Sequence, residues 1–178
     1  MNRRRIRVSS PALVVCCGLP GVGKSTVSGY VADRLEANRY RSDAVRKELF
    51  PNPTYEPAET IETYEELFDR AKTDLLEGHH IVLDATFSMR QYRERVDEIT
   101  RDVDAEATFV RVTADPAVLR ERIENRTDTV SDAGYEEHLE VKASFEAFDR
   151  NHVVIDNSGT IEETHRQVDR AVLEPITE

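Results

Sequence analysis

A continuous apolar run that leads directly into a glycine-rich loop constrains this chain more than any other feature. Residues 12–17 read Ala-Leu-Val-Val-Cys-Cys, and Gly18-Leu-Pro-Gly-Val-Gly-Lys-Ser25 follows at once. Apolar residues at helical spacing then begin at Val27. Glycines admit backbone conformations closed to other residues, so successive amide groups can turn toward one anion, and the following helix adds the positive end of its dipole. The pattern predicts a phosphate-binding loop between a buried strand and a helix.

The loop composition indicates a nucleoside triphosphate as the ligand. Lys24 is expected to reach the β- and γ-phosphates and to serve in catalysis, and the Ser25 hydroxyl is expected to ligate Mg²⁺. ATP and Mg²⁺ are therefore the expected cofactors. The residues expected to hold the nucleotide are Gly18, Leu19, Pro20, Gly21, Val22, Gly23, Lys24, Ser25 and Thr26, together with Arg126.

Charge and composition exclude several classes of protein. The 178 residues include 24 Lys and Arg against 35 Asp and Glu, a formal charge of −11 that repels polyanions and anionic lipid. No apolar run approaches the length of a membrane span, and no signal-peptide pattern follows the first residues. Cys16 and Cys17 are adjacent, so in a strand they point to opposite faces and form no ordinary disulfide. We expect a soluble, cytoplasmic protein without a membrane partner.

Apolar runs of strand type alternate with segments of helical period along the chain. Strands are predicted at 12–17, 40–42, 81–83, 107–112 and 153–155, and helices at 27–37, 44–50, 59–77, 89–103, 116–126, 134–148 and 161–173. Pro116 suits the first position of its helix, with Asp115 as the N-cap. The alternation predicts an α/β fold with a mostly parallel sheet covered by helices on both faces. Residues 1–10 form a basic arm that could touch RNA or be a frayed terminus, and residues 11–178 form one domain.

Two acidic residues follow predicted strands. Asp43 comes after the second strand, at the sheet edge where such folds bind ligands, and Arg46 shares its helix face. Asp43 is expected to orient and deprotonate an acceptor hydroxyl, and Arg46 to anchor the acceptor, although Asp43 could also be a plain helix N-cap. Asp84 follows the buried strand 81–83 and is expected to hold Mg²⁺, with an N-cap or turn as the alternative. Which of the two carboxylates is the catalytic base stays open.

Weaker expectations concern side chains near these groups. Thr86 and Arg90 follow Asp84 and are expected to contact the acceptor or a phosphate. Arg122 and Arg126 lie four residues apart on one predicted helix, so a mobile lid could bring both over the phosphates during transfer.

Two short sequences are similar to the motifs with which GTPases bind guanine nucleotides. Asn125-Arg-Thr-Asp128 is similar to N-K-x-D and 156–159 fits D-x-x-G, but their order is reversed and Asn125 ends a helix. The stretch 156–160 is expected instead to border the adenine ring.

Three motifs together resemble a group of small P-loop kinases with an AAA-like domain. The motifs are 18–26, Ser42-Asp-Ala-Val-Arg-Lys-Glu-Leu49 and Asp84-Ala-Thr-Phe87. The group includes polynucleotide-kinase-like, gluconate-kinase-like and zeta-toxin-like members, and the similarity covers about residues 12–173. It implies a three-layer P-loop fold with a five-stranded parallel sheet of order 2-3-1-4-5 and a helical lid.

The resemblance also implies roles for individual residues. Lys24 and Ser25 match the loop lysine and the metal-binding hydroxyl, and Asp43 matches the general base of polynucleotide kinases. Arg46 matches the arginine of the D-x-x-R motif, Asp84 the Walker-B-like acid, and Arg122 and Arg126 the lid arginines. Residues 48–77 match no substrate-defining motif, so the acceptor is left open.

The sequence thus predicts an ATP-dependent kinase that phosphorylates a hydroxyl of a small molecule or of a nucleic-acid 5′ end. The alternative is an ATPase switch whose hydrolysis changes its binding to a partner protein.

Overall fold

The computed structural model describes residues 10–125 and 134–177. Five strands form one sheet in which every pairing is parallel, in the order β2-β3-β1-β4-β5. Their bounds are β1 Ala12–Cys17, β2 Asn38–Arg41, β3 Ile81–Asp84, β4 Glu106–Thr113 and β5 Val153–Asp156. The predicted α/β class and strand order are confirmed.

Helices connect the strands and cover both faces of the sheet. They are α1 Lys24–Leu35, α2 Ser42–Leu49, α3 Pro57–Leu76, α4 Arg90–Val103, α5 Pro116–Glu124, α6 Tyr135–Ser144, α7 Ile161–Val168 and α8 Glu174–Thr177, with a π-helical turn at Asp169–Leu173. None of the helices in the described part of the chain has the length and apolar character needed to traverse a bilayer.

Two hydrophobic cores hold the helices against the two faces of the sheet. One packs α2, α3 and α4 against the sheet face that carries Leu13, Val15 and Cys17. The other packs α1, α5 and α7 against the face that carries Val14 and Cys16. Cys16 and Cys17 are therefore buried on opposite faces, as the alternation of a strand requires, and both thiols are free.

Some element ends differ from the sequence prediction. The helix predicted over 134–148 ends at Ser144, because the segment after it is extended and packs Phe148 against Phe109 with ring centroids 6.1 Å apart. The closing helix is interrupted by the π-helical turn. Asp115 caps α5 as predicted, since its carboxylate accepts from the Ala117 amide at 2.9 Å.

The alternative in which Asp43 is only a helix N-cap is wrong. Helix α2 begins at Ser42, two residues before the Ala44 start that an Asp43 cap requires, and Arg41 holds the cap position without a side-chain hydrogen bond to the helix. Asp43 lies in the first turn of the helix, at the carboxyl edge of β2. Its carboxylate is therefore available for a role other than capping.

Candidate active site

The loop between β1 and α1 depends on glycine for its shape. Gly18, Gly21 and Gly23 have φ angles of +146°, +87° and +90°, which other residues rarely adopt. A Cβ atom on Gly18 would stand 2.5 Å from the Val112 carbonyl oxygen, and one on Gly23 would overlap the side-chain amide of Asn157. The loop is thus fixed by both backbone conformation and close packing, as an amide-lined anion cradle requires.

Lys24 and Ser25 open helix α1 directly after the loop. The Lys24 ammonium donates to the Leu19 carbonyl at 3.0 Å, so the lysine folds back over the cradle it is expected to serve. The Ser25 hydroxyl accepts from the Arg41 guanidinium at 3.0 Å. Both side chains lie where the helix N-terminus concentrates positive potential.

Asp84 is held in a buried polar cluster at the end of β3. It is 5% exposed, and its carboxylate accepts from the Ser28 hydroxyl at 2.6 Å. Arg41 stands 3.8 Å from the same carboxylate, so one guanidinium bridges Asp84 and the Ser25 hydroxyl. A hydroxyl and a carboxylate are hard oxygen donors of the kind Mg²⁺ takes, so this pair fits the metal that the resemblance implies.

Asp43 faces the loop across a space of about 30 Å³. Residues of the loop, α2 and β3 line this space together: Gly21, Gly23, Lys24, Ser25, Arg41, Asp43 and Asp84. Burial raises the pKa of Asp43 above its ordinary value, and the positive charge of Lys24 partly offsets the rise. The structure thus brings together four of the predicted residues, Lys24, Ser25, Asp43 and Asp84.

Arg46 shares a helix face with Asp43 but is engaged inside the protein. It is 9% exposed, donates to the Thr60 hydroxyl at 3.1 Å and lies 3.5 Å from the Glu59 carboxylate. The Tyr55 ring covers it with the ring centroid 5.0 Å away. Backbone amides of Thr54 and Tyr55 donate to Glu59 and hold the pKa of that carboxyl below its ordinary value. The guanidinium is therefore already neutralised by a fixed carboxylate.

The two weaker acceptor candidates lie in different surroundings. The Thr86 carbonyl accepts from the Gly18 amide at 3.3 Å, and its hydroxyl is 3.4 Å from the Tyr64 hydroxyl, so Thr86 borders the loop. Arg90 forms a half-exposed ion pair with Asp149 at 2.8 Å. The structure brings Thr86 to the site and leaves Arg90 in a surface pair.

A cleft of about 630 Å³ opens on the other side of the loop. Its lining includes Gly21, Thr26, Arg122, Asn125, Asn157 and Gly159. The Nη1 atom of Arg122 is buried without a hydrogen-bond partner in the described ranges, as a group awaiting a ligand oxygen would be. Arg126 lies outside the described residues. Asn125 caps the end of α5, so it does not follow a strand as a guanine-reading element does.

Sequence reasoning missed two contacts that shape the loop. The Asn157 amide donates to the Val22 carbonyl at 2.9 Å and accepts from the Thr164 hydroxyl at 2.9 Å. The buried His138 of α6 places its Nδ1 2.9 Å from the Pro20 carbonyl, which can only accept, so Nδ1 carries the hydrogen. Both partners are more than a hundred positions from the loop, and no local pattern could have indicated them.

Comparison with known proteins gives one family match. The profile of a family described as AAA domain matches residues 13–148. Uncharacterized proteins of Mycobacterium tuberculosis and Mycobacterium bovis are 28% identical over 159 residues, which is 83% of this chain. The chain spans about a third of the length of these relatives, 32% in each case.

Solved structures of kinases share the fold. A sugar kinase from Janibacter sp. HTCC2649 has a TM-score of 0.71 at 17% identity, with 95% of this chain and 99% of that chain covered. A gluconokinase from Sinorhizobium meliloti 1021 has a TM-score of 0.71 at 21% identity, covering 98% and 95%. An APS kinase from Mycobacterium tuberculosis in complex with AMPPNP and APS has a TM-score of 0.67 at 17% identity, covering 89% and 95%. The likeness establishes the fold of small P-loop kinases.

Proposed function

The chain belongs to the AAA domain family, and from this premise we propose that it is an ATP-dependent kinase acting on a hydroxyl group of a small molecule. One observation carries the proposal. A partly desolvated carboxylate, Asp43, faces the loop lysine and the Ser25–Asp84 pair across a space that all four residues line. A hydrolysing switch could use the same carboxylate to orient water, so acceleration by an acceptor is what distinguishes the kinase from the switch.

Each residue has a defined task in this reaction. The loop amides and Lys24 bind the β- and γ-phosphates, and Asp43 accepts the proton of the acceptor hydroxyl. The acceptor oxygen then forms a bond to the γ-phosphorus as the bond to the bridging β,γ-oxygen breaks, and ADP leaves. Arg122, and Arg126 in the segment beyond α5, neutralise charge that develops on the transferring group. Most of the rate enhancement comes from positioning and electrostatics.

Ser25 and Asp84 would hold Mg²⁺. When bound, the metal ion neutralises phosphate charge and orients the β- and γ-oxygens. With Mg²⁺ at these two oxygens, Arg41 would no longer bridge them, and its guanidinium would be free to pair with a phosphate.

Support for a small-molecule acceptor comes from two sources. The sugar kinase and the gluconokinase that share the fold act on small hydroxylated compounds by their descriptions. The formal charge of −11 disfavours the large polyanion that a nucleic-acid 5′ end would bring. A 5′-hydroxyl oligonucleotide belongs in the acceptor panel as the competing outcome.

The test is a transfer assay with γ-labelled ATP and a small-metabolite extract, read by mass spectrometry. Wild-type protein is expected to label a hydroxyl compound, and Lys24→Ala is expected to lose transfer while it stays folded. Lys72→Ala is the matched control, since Lys72 lies on the surface of α3 in an ion pair with Asp102 at 2.8 Å. Full turnover by Lys24→Ala, or ATP hydrolysis that no acceptor accelerates, would overturn the proposal.

A further inference from the structure

Two arginines of the described site, Arg41 and Arg46, are engaged by carboxylates in the structure. Arg41 is bound to Asp84 and Ser25, and Arg46 is neutralised by Glu59 beneath Tyr55. An anionic acceptor placed at Arg46 would also meet the fixed Glu59 carboxylate, and like charges at that distance repel. These contacts favour another position along the carboxyl edge of the sheet for an acidic group of the acceptor.

Arg111 is placed to do this. It lies near the end of β4, paired in register with Cys17, the residue directly before the glycine-rich loop. Phe109, two residues earlier, packs in the core with α3 and α4, and strand alternation puts Arg111 on the same face. Arg111 is half-buried at the edge of the sheet that carries the loop and Asp43.

The guanidinium of Arg111 has no charged or hydrogen-bonded partner within 10–125 and 134–177. The guanidinium lies over the rings of Phe145 and Phe148, with centroids 5.9 and 6.0 Å away. Aromatic faces at this distance orient a guanidinium and leave its N–H groups available to a ligand. A partly buried guanidinium with unused donors is suited to binding a carboxylate or a phosphate.

Nearby acidic side chains are already committed. Asp97 accepts from Arg150 at 2.9 Å, Asp149 pairs with Arg90 at 2.8 Å, and the Glu146 carboxylate accepts from the Arg90 backbone amide.

A second arginine adds positive charge in the same region. Arg93 is fully buried, donates to the backbone carbonyls of Phe87 and Ala147, and stands 4.8 Å from the Phe148 ring. This region therefore holds more arginines than acidic residues, in a chain whose overall charge is strongly negative. The guanidinium groups are those of Arg90, Arg93, Arg111 and Arg150, and the carboxylates are those of Asp97, Glu146 and Asp149. The excess positive charge is accessible to a ligand at the half-buried Arg111, because the Arg93 side chain is fully buried.

We propose that Arg111 binds an acidic group of the acceptor, so that the substrate is a small hydroxylated acid. This inference rests on the proposed kinase function. Asp43 follows β2 and Arg111 lies on β4, and these strands are three positions apart, about 14 Å at the usual strand spacing. The phosphate loop after β1 lies between them. A small polyhydroxylated acid, with its alcohol and acid ends several bonds apart, fits this separation once the two side chains extend toward it.

The first experiment separates a small-metabolite extract by anion exchange and supplies γ-labelled ATP to the neutral and the anionic fractions. We expect label on a compound of the anionic fraction. D-Gluconate, glucose 6-phosphate and D-glucitol, assayed beside the fractions, distinguish a carboxylate, a phosphate and a neutral polyol. Transfer to the neutral fraction or to an oligonucleotide in preference to small acids would overturn the inference and leave a kinase. Absence of transfer in every arm would overturn the kinase proposal itself.

The second experiment compares Arg111→Gln and Arg111→Lys with the acid acceptor that the first identifies. Arg111→Gln is expected to raise the KM for the acceptor about tenfold or more, the loss of one charge-assisted hydrogen bond, with the KM for ATP unchanged. Arg111→Lys should restore part of the affinity, because the charge remains without the planar fork. Arg95→Gln is the control, since Arg95 forms an exposed pair with Glu98 on α4. An unchanged acceptor KM in folded Arg111→Gln would refute the assignment.

Discussion

Replacement of Asn157 by alanine tests whether a residue far from the glycine-rich loop sets the shape of that loop. Asn157 is 7% exposed and joins the turn after β5 to the loop through its bond to the Val22 carbonyl. The Thr164 hydroxyl fixes the orientation of the amide by donating to its oxygen. The side chain also fills the space that only a glycine at position 23 leaves open.

The expected magnitude follows from these contacts. Alanine removes both hydrogen bonds and leaves the Val22 carbonyl without its partner, which costs about 1–3 kcal/mol for a buried polar group. If about 2 kcal/mol of this cost is subtracted from the free energy of nucleotide binding, because the loop no longer holds its binding conformation, the Kd for ADP or ATP rises about thirtyfold. The rate of transfer at saturating ATP should fall much less, because Asn157 does not line the space between Asp43 and Lys24 and acts on the phosphate cradle.

Calorimetric titration with ADP and steady-state kinetics measure the two effects. Asn157→Asp is the informative second variant, since it keeps the oxygen that accepts from Thr164 but replaces the donor to Val22 with an oxygen. It should weaken nucleotide binding at least as much as Asn157→Ala. Asn151→Ala, at an exposed asparagine just before β5, is the control. A lower melting temperature with unchanged nucleotide affinity in both Asn157 variants would refute the reasoning.

Three further predictions concern the acidic residues. Asp43→Asn should lower the kcat for transfer about 10²–10⁴-fold with little change in ATP affinity, and equal losses in both would contradict its role as base. Because burial raises the pKa of Asp43 and the base must be ionised, wild-type transfer should decline on acidification before the pH reaches the ordinary pKa of an aspartate, about 4. A rate that stays constant down to that pH would count against this role. Ser28→Ala removes the 2.6 Å hydrogen bond to the buried Asp84 and should lower the free energy of unfolding in urea by about 1.5–3 kcal/mol, whereas an unchanged midpoint would show that the bond adds nothing.

The sequence predicted the parts of the site that lie next to regular strands. The loop after β1, Asp43 after β2 and Asp84 as the last residue of β3 all sit at carboxyl ends of parallel strands, which meet at one sheet edge. The continuous apolar runs predicted buried strands of a parallel sheet, and the family resemblance implied the order of the strands in that sheet. The convergence of these residues is therefore a consequence of topology.

The sequence could not predict the contacts that cross between distant segments. Glu59 neutralises Arg46 from the first turn of α3, and this pairing depends on how the α2–α3 connection folds rather than on helical spacing. The shortened α6 has a similar cause: Arg93 takes the carbonyls of Glu146 and Ala147 as hydrogen-bond acceptors and so holds the segment out of a helix. Tertiary hydrogen bonds here override a local helical pattern.

A crystal structure with Mg²⁺ and a non-hydrolysable ATP analogue tests the central claim most directly. We predict that the β- and γ-phosphates contact the loop amides between Gly21 and Ser25, that the Lys24 ammonium leaves the Leu19 carbonyl for a phosphate oxygen, and that the γ-phosphate faces Asp43. An analogue bound outside this loop, or a terminal phosphate pointing away from Asp43, would contradict the account.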